Sequence, residues 1–271
     1  MAKATSAKSE ESTALTVYNK AGFMALSTDG DMAALLDDLK DVGMELTPAD
    51  IPRIKFPQGG GTRWEVPRPD GESDLVKEIV GAFVYFQKAA VLWPSFDPAP
   101  GTPPVLRSWD CQTADLIGEV PPEMVETIAK YTLPNGKVNI READGFPYSQ
   151  WGSGKEGIGK RMKESRMCFV LPPDQPMPFL INVPSGSIKI FDPWFKSLVA
   201  RMRVHYTATV VGFALDSVPS KRGMDYARLM PRVAGLLDPE TRDALRAQWH
   251  GPLSAIATKI VDEPHGGGDE G

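Results

Sequence analysis

Arg166-Met167-Cys168-Phe169-Val170-Leu171, then Pro172-Pro173-Asp174-Gln175-Pro176, then Phe179-Leu180-Ile181-Asn182-Val183 is the stretch on which the reading of this chain turns. Two short apolar runs on either side of a Pro-rich turn predict two paired strands. After Pro184 the period changes. Ile188, Phe191, Phe195, Leu198, Val199 and Met202 fall at helical spacing, with Ser185 or Ser187 as a cap and Pro193 acceptable only in a first turn. Period two returns from Arg203 to Leu215, where Val204, Tyr206, Ala208 and Val210 alternate with His205, Thr207 and Thr209. Met224 to Ala234 is the expected hairpin partner of that strand.

Downstream, Asp238-Pro239-Glu240 opens a last helix, with Asp238 as cap and Pro239 at the first helical position. Upstream, Leu75 to Trp93 reads as one long bent strand with Gly81 as its bend or bulge. Arg53–Phe56 and Thr62–Val66 both alternate charged and apolar residues around Pro57-Gln58-Gly59-Gly60-Gly61, which suggests a hairpin. Asp31 to Val42 has helical spacing and stops at Gly43. Between Asp110 and Gly159 the pattern is poor: a short helix over Pro121–Tyr131, an extended piece over Val138–Ile140, and a loop over Gly145–Gly159. A helix set between strand pairs is the pattern of an oligonucleotide/oligosaccharide-binding (OB) barrel.

The expected class is therefore β-rich α+β: an antiparallel OB-like barrel or sheet with flanking helices and a long irregular insertion at about 110–160. The expected divisions are a disordered 1–13, a helical 14–50, a nucleic-acid-binding 51–258 and a flexible acidic tail at 259–271.

The composition is that of an ordinary globular protein: 271 residues, 42% hydrophobic, 24% charged. No run approaches the roughly 18 apolar residues of a membrane span, and Met1–Thr13 lacks the apolar stretch of a signal peptide. Cys111 and Cys168 form no CxxC, and with scattered His205, His250 and His265 they suit a reduced, cytoplasmic protein without a metal or other cofactor. The net charge of −5 is unevenly spread. Residues 1–50 hold nine acids and four bases, whereas Lys155 to Arg228 holds twelve bases and six acids. The end carries Asp262, Glu263, Asp269 and Glu270 without a base. A positive middle between negative ends suits a polyanion binder.

Catalytic motifs are missing. There is no Walker loop, GxSxG or HExxH. Gly152-Ser153-Gly154-Lys155-Glu156-Gly157 resembles a phosphate loop, but Glu156 stands where Ser or Thr is needed. The informative segment is Phe146 to Arg166. It sets Tyr148 and Trp151 beside Lys155, Lys160, Arg161, Lys163 and Arg166. Rings stack on unpaired bases while cations follow phosphates, at roughly 1–3 kcal/mol per stacked base and without regard to sequence. Trp64 joins Tyr148 and Trp151 as a candidate stacking residue. Arg201 and Arg203 join the cations as candidate backbone contacts.

Ile51 to Trp249 resembles a family of phage and mobile-element proteins of the replication and recombination module, OB-fold single-stranded-DNA-binding proteins. The matching features are Pro52-Arg53-Ile54-Lys55 with Gly59-Gly60-Gly61, Pro147-Tyr148-Ser149-Gln150-Trp151-Gly152-Ser153-Gly154, Gly159-Lys160, the helix after Pro184-Ser185, and the strands around Tyr206 and Tyr226. The resemblance implies cysteines of a structural zinc site where this chain has Leu106, Ala143, Phe146 and Met162, so that an apolar cluster would replace the metal. It also implies that the acidic tail recruits replication or recombination proteins and competes with DNA.

Together these readings predict a non-enzymatic, sequence-independent single-stranded-DNA-binding protein of the host-cell cytoplasm, with its oligomeric state open. The alternative is a non-catalytic interaction or structural component of a phage or mobile element. A nuclease is a third class, which would need a carboxylate cluster that the sequence does not offer.

Overall fold

A computed structural model describes residues 15–27, 38, 41, 47–68, 71–219 and 225–260. The expectations for 1–13 and for the acidic end lie outside these residues, as does most of the helix expected over 31–42, of which Asp38 and Asp41 are helical. The protein is mixed α+β and sheet-rich. No described helix is long and apolar enough to cross a membrane.

The organising element is β5 (Glu78–Leu92), fifteen residues long. One edge pairs along 82–91 with β9 (Lys163–Leu171), which returns antiparallel to β10 (Phe179–Val183) with Phe179 opposite Val170. The other edge is shared. Its first five residues take β11 (Thr209–Pro219) and its last three residues take β6 (Leu106–Ser108). β11 continues into the hairpin strand β12 (Asp225–Leu237), whose end pairs in parallel with β1 (Thr16–Tyr18). β2 (Arg53–Ile54) adds in parallel to β10.

Period-two alternation explains both faces of this sheet. Cys168, Val170, Phe179, Ile181, Val211 and Phe213 point to one core, and Met167, Phe169, Leu171, Leu180 and Val210 to another. The first core is covered by a sixteen-residue helix, Ser185–Ala200, through Phe191, Trp194 and Phe195. The second is covered by the helix Pro239–Ala257 through Leu245, Trp249, Leu253 and Ile256. Besides the helical Asp38 and Asp41, the helices among the described residues are, in chain order, α1 (Met24–Ser27), α2 (Pro122–Tyr131), α3 (Ser185–Ala200) and α4 (Pro239–Ala257). α4 begins as its sequence dictates: Pro239 is in the first turn and the Asp238 side chain accepts from the Thr241 N–H at 2.8 Å.

The sheet stays open: among the described residues β10 and β12 share no ladder. α3 stands at the edge of β12 instead, where the buried Ser187 hydroxyl accepts the Leu229 N–H at 3.0 Å. A side chain thus satisfies an edge donor that a strand would otherwise take.

Several expectations are corrected. The hairpin expected around Gly59–Gly61 is not formed. β3 (Trp64–Pro67) pairs with β4 (Ser73–Val76), and β2 goes to β10. Gly81 is not the bulge, since the register slips between Phe83 and Tyr85. Gly81 is instead required by close approach, because a Cβ there would lie 2.5 Å from the Leu171 carbonyl oxygen. The strand expected from Arg203 starts only at Thr209; Tyr206–Ala208 is a 3-10 turn in which the His205 side chain accepts the Thr207 N–H. Pro193 lies inside α3 rather than in its first turn, and Pro184, with no side-chain cap bond, precedes the helix.

The segment between β5 and β9 is more regular than expected. It builds β6, β7 (Thr113–Leu116), β8 (Val138–Asn139) and α2 around a core of its own that includes Val105, Leu106, Met124, Ile128, Phe146 and Met162. Three of the four positions implied to have held zinc, Leu106, Phe146 and Met162, therefore meet in one buried cluster, while Ala143 is exposed.

Candidate nucleic-acid interface

The loop from Tyr148 to Arg161 is closed on itself by short-range hydrogen bonds. The Gly152 and Gly154 N–H groups both donate to the Gly159 carbonyl, at 2.7 and 3.1 Å. The Ser153 hydroxyl donates to the Gln150 and Tyr148 carbonyls and accepts the Arg161 N–H at 3.0 Å. Gly154 admits no side chain, because a Cβ there would collide with the Ile158 carbonyl. Lys155–Gly157 is a single 3-10 turn that opens no helix. The Gly152 and Gly154 amides are thus spent inside the loop, and the likeness to a phosphate loop has no geometric counterpart.

This closed loop holds aromatic rings and cations together at the surface. Trp151 is 57% exposed, and the Lys189 ammonium of α3 lies 4.8 Å from its ring centre. Phe96, 46% exposed in the Pro-rich loop after β5, carries the Arg161 guanidinium 4.2 Å above its ring. The same guanidinium is 5.9 Å from the half-buried Tyr148 ring and donates to the Pro94 carbonyl at 2.9 Å. Its Nε is buried without a hydrogen-bond partner. Lys155 reaches Asp97 at 2.6 Å and ties the two loops together. That pair is largely exposed, so it is weak and readily exchanged for another anion.

The remaining sequence candidates divide sharply. Trp64 is fully buried; its Nε1 donates to the Phe213 carbonyl at 2.7 Å and its ring meets Phe56 edge-on. It cannot stack on a base. Arg166 is 4% exposed and forks onto Asp192 of α3 through Nε at 2.9 Å and one terminal nitrogen at 2.8 Å. Burial opposes its charge, but the hydrogen bonds and charge of Asp192 outweigh it and raise its pKa above the usual arginine value. It fastens α3 to β9 and does not face a ligand.

Lys160 is held between Glu142 at 2.6 Å and Glu164 at 3.1 Å. Burial pulls its pKa down, and the two glutamates more than offset this. With two carboxylates on one ammonium it offers no net positive charge to a phosphate. Beside it opens a cavity of about 270 Å³ lined in part by Cys111, Glu142, Ala143, Met162 and Glu164. Burial pushes the Cys111 thiol up to about 12, so it stays protonated at neutral pH. Lys163 is half-buried at the head of β9, opposite Val91, and has a partner of its own. Arg201 and Arg203 are exposed at the far end of α3, away from the loop.

Of the ten candidates, the structure groups Tyr148, Trp151, Lys155 and Arg161 at an accessible surface. Phe96 and Lys189 belong with them and were missed. Phe96 lies far from Arg161 in sequence, in a Pro-rich stretch without periodicity, so nothing local marks it. Lys189 was legible: helical spacing places it opposite Phe191 and Leu198. No protein-family model, curated protein or solved structure matches this chain.

Proposed function

We propose that this chain binds single-stranded DNA without reading its sequence, through Trp151, Phe96 and Tyr148 with the cations Arg161, Lys189 and Lys155. The observation that carries the reading is the pairing of each exposed ring with a cation: Trp151 with Lys189, and Phe96 with Arg161. A flat ring that faces water and is flanked by a positive charge suits a base on the ring and its phosphate on the cation. The strand connectivity supports the same reading. β5, β9 and β10 form a meander, α3 crosses over, and the β11–β12 hairpin returns to the free edge of β5. That order suits an OB-like fold, with α3 at the edge where a barrel would close. The resemblance to phage and mobile-element single-strand binders points the same way, and the apolar cluster of Leu106, Phe146 and Met162 supports the reading that a metal is not needed here.

Trp151 supplies its own reporter. Stacking of a thymine on Trp151 should quench the fluorescence of the exposed indole, while Trp64, Trp93 and Trp249 are buried and stay silent, and half-buried Trp109 and Trp194 give a background that Trp151→Phe retains. Titration with oligothymidine should give saturable quenching in the wild type and none in Trp151→Phe. Unchanged emission, under conditions where the oligonucleotide is in large excess, would remove this surface as the site.

A second reading has one observation in its favour. Leu116, Ile117 and Val125 are each just over half exposed on the insertion, which suits a protein partner. An interaction component using that surface would show weak salt dependence and no preference for single strands.

A further inference from the structure

α3 links the loop to a second group of cations. Lys189, Pro193, Lys196 and Ala200 are exposed and recur at intervals of four, three and four, which is one face of a helix, with exposed Val199 beside it. At sixteen residues the helix is about 24 Å long. The carboxylate on α3, Asp192, is already taken by Arg166. At the near end Lys189 stands over Trp151. At the far end the chain passes through Arg201 and Arg203 into the turn at His205, which packs beside α4.

There Arg242, Arg246 and His250 recur every fourth residue on α4, and the charges of all three act on His205. The His205 ring lies against Tyr206, its Nδ1 is 2.8 Å from the Thr207 hydroxyl, and the His250 ring lies edge-on to Tyr85. Asp243 faces the group and takes Arg242 at 2.8 Å. Among the described residues Lys196, Arg201, Arg203 and Arg246 form no ion pair. One more feature is out of the ordinary. Arg203 holds φ at +56° where it ends α3, its N–H donating to Val199 and that of Val204 to Leu198. This is the left-handed terminator usually given to glycine. A long cation is kept at a backbone position that disfavours it.

We propose that a bound single strand continues from Trp151 along the outer face of α3, its phosphates meeting Lys189, Lys196 and Arg203, to a second anchor at Arg246 and His205. The path rests on the single-strand reading of the loop and adds to it a direction and a far end. Each phosphate contact on a single strand contributes about 0.7 to the slope of log affinity against log salt. The permanently charged Lys196, Arg203 and Arg246 lie beyond the reach of a strand that only covers the loop.

The test compares the wild type with the triple variant Lys196→Gln, Arg203→Gly, Arg246→Gln, by anisotropy over a salt series. The probes are fluorescein-labelled oligothymidines of thirty and of six nucleotides. All three side chains are exposed, and a thermal melt checks that the variant is folded. For the long probe the variant should lose affinity and its salt slope should drop by about 2, while the short probe binds both proteins alike. An unchanged slope and affinity for the long probe, or an equal loss with the short one, overturns the path and leaves the loop as the site. If the wild type binds neither probe, the loop reading itself fails and the path falls with it.

Discussion

Trp64 and Trp151 show how one residue type serves opposite ends. Trp64 fills the core and bonds to β11, whereas Trp151 faces water. Replacing Trp64 by Ala should lower stability by about 3–5 kcal/mol in a urea melt. Trp151→Ala should leave the melt within about 0.5 kcal/mol and weaken single-strand binding by about 1–3 kcal/mol, roughly 5- to 150-fold. Arg166→Ala should act like the Trp64 change, at about 3 kcal/mol, because Asp192 would lose its partner at a mostly buried position. The inward direction of both residues was legible. In Arg63-Trp64-Glu65-Val66, alternation puts Trp64 on the apolar side with Val66, and Arg166 shares a face with Cys168 and Val170. Aromatic and cationic identity alone does not decide exposure; the parity of the strand position does. Parity could not reveal Asp192, since that partner comes from another element.

At the scale of elements, α3 gives a prediction with two signs. Relief of the left-handed strain at Arg203 is worth about 1–2 kcal/mol, and the extra chain entropy of glycine takes back about 0.5–1 kcal/mol. Arg203→Gly alone should therefore leave the melting temperature unchanged or slightly higher, while weakening the long-probe complex. A drop in melting temperature would mean that the Arg203 side chain is structural. His205 adds a pH dependence. Burial, followed by the charges of Arg246, Arg242 and His250, holds its pKa below the ordinary histidine value. A phosphate beside it would favour the protonated ring, so binding takes up a proton and affinity should rise as pH falls through and below the ordinary histidine range. Without DNA the sign is opposite: the unfolded chain binds that proton more readily, so stability slips in the same range. His205→Gln should flatten the binding profile in a pH titration of affinity. Elements with local signals were legible, as with Asp238-Pro239 at the start of α4 and the Pro172–Pro176 turn between β9 and β10. The pairing of β2 with β10 was not, because Arg53 meets Leu180 across nearly half of the chain and no local pattern encodes such a partner.

At the scale of the whole molecule, net charge misleads. The chain carries −5 overall, yet one run of exposed cations follows the Trp151 loop, α3 and the first half of α4, among others spread over the surface. The regional excess over Lys155–Arg228 was readable from the sequence. Which of those cations are free was not. Lys160 and Arg166 lie in the basic stretch but are neutralised by glutamate and aspartate partners, while Arg246 lies outside it and is unpaired among the described residues. The central claim is that single strands bind this surface electrostatically and by stacking. Its most direct test is an anisotropy titration of the full chain with a labelled thirty-nucleotide single strand and with its duplex, at low and high salt in EDTA. The account predicts tight binding to the single strand, much weaker binding to the duplex, and a steep loss of affinity with salt. Equal binding to both forms, or no binding to the single strand at low salt, would contradict it.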